Sequence, residues 1–268
     1  YGTKVARARR GLLIRARGDG NTMKRSDFMR ISAVSAIIAT PAIAARAAEP
    51  ALPSSIAGVA IPDSYVARQA TAEAREVEHV HVFRHSVRSF LFAELISRVR
   101  KIKHDPETVY VSCLLHDIGL SEQYSTPHNR FEVDGANVAR KLLHANGATE
   151  DRTRIAWDAI ALHATSSIAR YKDPEVKLVN AGVITDVGAA YASTLEKSVV
   201  QQVLDALPHQ GFNDAFLAVL IDYARRKPDV VGATFVEGVA IRAVPGYKPD
   251  NFYDDMKGPD AFSQLGFT

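Results

Sequence analysis

The chain has 268 residues, 47% apolar and 24% charged, as expected of a globular protein with one sizeable core. Its net charge of +3 is unevenly spread: residues 1–47 hold ten Lys/Arg against two acids, leaving 23 basic and 28 acidic residues for the rest. The body is therefore mildly acidic, which argues against a nucleic-acid-binding surface, and a lone cysteine, Cys113, excludes an intrachain disulfide framework or a cysteine-based zinc site.

In chain order, Met23 opens a pattern typical of export signals. Lys24, Arg25 and Arg30 form a positive start, residues 31–45 an apolar run, and Ala45-Arg46-Ala47 a small-x-small cleavage candidate, with Ala42-Ile43-Ala44 as an alternative. Residues 25–30 resemble a twin-arginine motif in which the second arginine is serine. The run of about fifteen residues is shorter than the ~20 that a spanning helix needs. The expectation is an exported protein, periplasmic or secreted, with no stable membrane insertion once the signal is removed. A membrane anchor and an Arg-rich organellar presequence are the alternatives, and an uncleaved chain would be cytoplasmic. Residues 1–22 lie upstream of this plausible start. Residues 48–62, rich in Pro, Ala and Ser, read as a linker.

From residue 63 to 227 the apolar period is helical. A charged helix is expected over Thr71–His81. The next, Phe83–Lys101, carries Val87, Phe90, Leu91, Leu95 and Val99 at helical spacings. Asp105-Pro106-Glu107 marks a helix start with an N-cap, a first-turn proline and an acid at the positive dipole end; that helix stops at Gly119. Cys113 falls in its apolar run and reads as core. Further helices are expected over Phe131–Asn146, Asp151–His163, from Asp173-Pro174 to about Tyr191, Leu195–Leu207 and Phe212–Arg226, the last broken by Pro228. The fold class is all-α. Residues 228–268, with Gly, Pro and scattered aromatics, read as an irregular extension packed on the body or on a neighbouring subunit, so a homo-oligomer is a possible partner arrangement.

Four positions stand out within these helices. His85 lies near the start of one, His116-Asp117 ends an apolar helix, and Asp186 sits among Val183, Ile184 and Val187. Ionised aspartate in an apolar helix is costly to bury unless paired or bound to a cation. Helix neighbours point about 100° apart, but at the opening last turn both His116 and Asp117 can reach one ion. Imidazole nitrogen and carboxylate oxygen suit zinc, iron and manganese. Taken alone, the His-Asp dipeptide is weak evidence, since a histidine at a helix end also interacts with the dipole.

The order His85, His116-Asp117, Asp186 resembles the HD superfamily of metal-dependent hydrolases, H…HD…D on a helical core. His85-Ser-Val-Arg88, Leu114-Leu-His-Asp-Ile-Gly119, Arg130-Phe-Glu-Val-Asp-Gly135, Ala161-Leu-His163, Gln210-Gly-Phe212 and Arg226-Lys-Pro228 are similar to its cyanamide hydratase branch. The resemblance covers about residues 63–240. It implies an HD helical fold with a metal site between helices. It also implies His85, His116, Asp117 and Asp186 as ligands of one divalent ion, zinc foremost with iron and manganese as alternatives, and water addition to a nitrile.

Other residues carry two readings each. His163 contacts substrate or transfers a proton, or is a satisfied structural histidine. Asp117 doubles as ligand and proton acceptor. Arg88, one turn from His85, contacts an anionic group or forms a structural ion pair. Glu132 is a first-turn acid or fixes a ligand imidazole. Asn129 and Thr126 are pocket-lining candidates. The expected substrate is a small nitrile-like molecule such as cyanamide. The alternatives are phosphate ester hydrolysis, which calls for a cationic pocket and usually two metals, and a non-catalytic HD domain.

Overall fold

The computed structural model describes residues 50–251 and 257–258. The export signal expected over residues 23–47 lies outside these.

The stretch read as a linker is instead a packed hairpin, a correction to the sequence reading. Two-residue strands β1 (Ser55–Ile56) and β2 (Val59–Ala60) pair antiparallel. Ile56 and Val59 are buried in the main core. Ala57 and Gly58 both take positive φ, which lets so short a turn close.

Ten α-helices follow among the described residues. They are α1 (Tyr65–Val77), α2 (Val80–Arg100), α3 (Pro106–Leu115), α4 (Phe131–Ala145), α5 (Glu150–Ala161), α6 (Ser166–Ala169), α7 (Pro174–Gly188), α8 (Lys197–Ala206), α9 (Phe212–Arg226) and α10 (Phe235–Ala243). None is long and apolar enough to cross a membrane.

Local chemistry sets several ends. Ser64 caps α1 by accepting from the Ala67 amide at 3.1 Å. Asp105 accepts from the Glu107 amide at 3.0 Å and Pro106 takes the first turn of α3. Thr149 caps α5. Asp173 occupies the N-cap of α7, but its carboxylate turns to Arg154 on α5 at 3.1 Å and does not cap the helix. The expected Thr71–His81 helix divides: the chain extends at Glu78, and His79 starts α2 by accepting from the His81 amide. No glycine or proline marks that break.

Two further expectations are corrected. α3 ends at Leu115, and Gly119 lies in a 3-10 turn, Ile118–Leu120. The role of this glycine is close approach: a Cβ there would stand 2.2 Å from the Phe131 carbonyl oxygen. The C-terminal stretch from 228 holds the nine-residue α10, packed with α9 around Tyr223, Val231, Val236 and Ala240.

Helices α2 and α7 make the most extensive pairing in the molecule. Both are buried over most of their circumference, which is why neither is strongly amphipathic. They cross at Gly182, where a Cβ would lie 2.0 Å from the Ser89 carbonyl oxygen. Ser89 is one turn from His85 and Gly182 one turn from Asp186, so this backbone contact places those two side chains opposite each other.

Candidate metal centre

Four helices bring their polar groups to one place. α2 presents His85, the end of α3 presents His116 and Asp117, the end of α5 presents His163, and α7 presents Asp186; all five are buried. The last turn of α3 opens as its sequence position suggests. His116 keeps helical angles (φ −66°, ψ −33°) while Asp117 leaves them (φ −102°, ψ 0°), and both point inward.

Each imidazole is oriented through Nδ1. His85 Nδ1 donates to Asp186 Oδ2 at 2.7 Å, His116 Nδ1 to the Cys113 carbonyl at 2.7 Å, and His163 Nδ1 to the Ile160 carbonyl at 2.7 Å. Those acceptors carry no proton, so the hydrogen sits on Nδ1 and the Nε2 lone pair faces inward. His85 and His116 Nε2 lie 3.1 Å apart. Asp117 Oδ2 is 3.2 Å from His116 Nε2 and 3.7 Å from His85 Nε2, while Oδ1 is 3.8 Å from His163 Nε2. Both Asp117 oxygens are buried and accept no hydrogen bond among the described residues.

Lone pairs aimed at one another and a buried carboxylate without donors make an arrangement that a cation completes. His85, His116 and Asp117 offer ligand atoms all within 4.8 Å of one another. The donor set fits a divalent ion of the zinc, iron or manganese type.

Electrostatics follow the packing. Burial would raise the Asp117 carboxyl, but the charges and contacts of His116, His85 and His163 hold it well below the usual range. Burial would lower His116, yet Asp117 raises it above the ordinary value. Burial lowers His85. Burial and the neighbouring His116 push His163 down to about 3, so it is neutral at physiological pH.

Asp186 is placed differently from the resemblance. Expected as a fourth ligand, it stands behind His85, its Oδ2 on His85 Nδ1 and its two oxygens bound by Arg88 at 2.6 and 2.8 Å. In this arrangement its carboxylate orients the His85 imidazole through Nδ1. Arg88 is fully buried, reaches the Leu207 and Pro208 carbonyls through Nη1, and lies over the Phe212 ring. Arg88 forms the ion pair of its second reading and does not line the cavity beside the cluster.

Asn129 and Thr126, read as pocket candidates, do not line the cavity beside the cluster, and neither does Glu132. The Asn129 side chain donates to Asp134 at 3.1 Å, and Thr126 donates to the same carboxylate through both its amide and its hydroxyl. Lys227 closes this knot by donating to the Asn129 carbonyl and to Asp134. These contacts pin the loop after Asp117 onto α4. Glu132 is buried against Arg130. His104 is paired with Glu94 at 2.6 Å. His209 lies 3.1 Å from the Asp186 carbonyl.

The cavity beside the cluster measures about 330 Å³. It is bounded by His85, His116, Asp117 and His163 on one side, and by Ala164, Val183, Ile184, Val187, Gly188, Phe216 and Phe235 on the other. The sequence reading missed this apolar wall. Val183 and Val187 share a face of α7 with Ile184 adjacent, Phe216 follows Phe212 by one turn, and Phe235 belongs to the segment taken as irregular. A larger cavity of about 580 Å³ is walled by the segments flanking the hairpin, residues 51–54 and 61–63, with α1 and Tyr110, away from the imidazoles.

Residues 82–201 match the HD domain family. Two yeast proteins, cyanamide hydratases DDI2 and DDI3 of Saccharomyces cerevisiae, are each 28% identical to the chain over 183 residues, covering 62% of it and 76% of the yeast protein. An uncharacterized protein of Clostridium beijerinckii is 30% identical over 86 residues, 30% of this chain and 53% of that one. The segment matching the HD domain family, residues 82–201, contains His85, the His116-Asp117 pair, His163 and Asp186. Within an all-α body, residues 82–201 thus match the HD domain family, and the chain's resemblance is to cyanamide hydratases.

Proposed function

We propose that the protein is a metal-dependent hydratase that adds water to the nitrile-type carbon of a small molecule. The observation that carries this reading is the pairing of the centre with its cavity. Oriented imidazoles and a donor-less carboxylate open onto a space whose described lining includes no Lys or Arg. A phosphate ester calls for cations that this wall does not offer, which favours a neutral, weakly polar substrate.

His85, His116 and Asp117 would hold the ion, zinc foremost. A divalent ion there supplies a water acidified enough to attack at neutral pH. The chain's own groups do the rest. Asp117 is ionised and its oxygens take no donor among the described residues, so it can accept a proton from the attacking water. His163, neutral with its Nε2 lone pair directed at Asp117, can take up that proton from Asp117 and hand it on to the nitrile nitrogen, returning to its neutral form. Asp186 and Arg88 lock His85 in one tautomer. Val183, Ile184 and Phe216 keep bulk water from the reacting carbon.

His116→Ala and Asp117→Ala should each lose the ion in elemental analysis, with urea release from cyanamide falling by orders of magnitude. Full metal retention in both variants would remove the site. Given cyanamide and a panel of phosphoesters, the wild type should release urea and no phosphate; the reverse would favour the phosphohydrolase alternative.

A further inference from the structure

We infer that the natural substrate bears an apolar substituent of about four or more carbons, seated against Val183, Ile184, Val187, Phe216 and Phe235. This rests on the hydratase reading and names its substrate class. Cyanamide has three non-hydrogen atoms and displaces on the order of two waters' volume, roughly 60 Å³. The cavity is about 330 Å³, at the lower end of pockets that enclose organic ligands. A three-atom polar molecule held at the imidazoles would leave most of that apolar space to water, an unfavourable state for such walls.

The walls also extend outward. Val187 is 48% exposed and Phe235 45% exposed, which makes the rim apolar as well. Phe216 stacks on Phe212 with centroids 5.1 Å apart and borders His85 at 5.7 Å, so a continuous apolar path leads from the rim to the metal centre. The polar groups converge at one end only, which orients a molecule with one reactive head and one apolar tail. For an N-alkyl cyanamide the reaction balances without a co-reactant. The water oxygen bonds to the nitrile carbon, the C–N triple bond becomes a single bond to nitrogen, both water protons end on that nitrogen, and an N-alkylurea results.

The test uses the metal-loaded protein and N-alkyl cyanamides from hydrogen to butyl. kcat/KM should rise about three- to four-fold for each added methylene that is buried. N-alkylureas, titrated calorimetrically as products, should bind with a similar slope. Phe235→Ser and Val187→Ser should flatten both slopes, and Phe235→Leu should retain them. Turnover of cyanamide with a flat or falling dependence on chain length overturns the substituent pocket and leaves the hydratase reading standing. A rising affinity for alkylureas without turnover of any cyanamide sustains the pocket and sinks the hydratase reading.

Discussion

At the residue scale, the centre depends on which nitrogen of each histidine carries the proton. Three Nδ1 donors are fixed by a carboxylate or a helix-end carbonyl, so the Nε2 lone pairs of His85 and His116, 3.1 Å apart, need no reorganisation to face one ion, while that of His163 faces Asp117. His85 depends on Asp186, and Asp186 in turn on Arg88, with both pair members' side chains fully buried. Asp186→Asn places an amide donor where His85 or Arg88 already donates. The expected result is metal affinity weaker by about 10- to 100-fold, measured by competition with a chelator. Unchanged affinity would show that Asp186 has no hold on His85, and complete loss would move it among the ligands. Removing one partner of a buried pair also costs about 3–5 kcal/mol, so thermal unfolding should be followed alongside.

At the scale of elements, the site is a product of the α2–α7 crossing. Gly182 lets the two backbones touch one turn from the His85–Asp186 bond. Gly182→Ala gains helix propensity of about 1 kcal/mol. It also forces a methyl to within 2.0 Å of the Ser89 carbonyl oxygen, and backbone cannot yield as a side chain does. Overpacking of roughly 1–3 kcal/mol or more should win, lowering Tm by several degrees and weakening metal binding together. Retained Tm and metal affinity would show that the crossing adapts. Helix existence was largely legible from periodicity and caps, with α2, α3, α4, α5, α7, α8 and α9 expected within a few residues. The exceptions have physical reasons. The break at Glu78–His79 has no punctuating residue, α6 is a single turn, and α10 lies in a stretch whose Gly and Pro content suggested irregular chain.

At the scale of the whole molecule, the helices are held by cross-links between elements as well as by core packing. Arg154 on α5 reaches Asp173 at the start of α7, and its hydrogen bond holds the Asp173 carboxyl below the usual range. A carboxyl depressed in the folded state contributes stability in full above its unfolded pKa of about 4 and loses it as pH falls through the lower folded value. Asp173→Asn should therefore lower the urea midpoint slightly at pH 7, with a smaller difference from wild type at pH 3; an equal difference at both would show that the charge plays no part. Among the described residues, the chain's local signals were enough to establish an all-α body, most helix starts, and a His85, His116, Asp117 and Asp186 set worth relating to one cation, because period, caps and buried charge are properties of short segments. Only the tertiary structure decided that Asp186 and Arg88 stand behind His85 and do not face the cavity. It alone put Asn129 and Thr126 on Asp134, and set Phe216 and Phe235 opposite the imidazoles. Those outcomes depend on which faces meet when helices far apart in sequence cross, and no local pattern encodes that geometry.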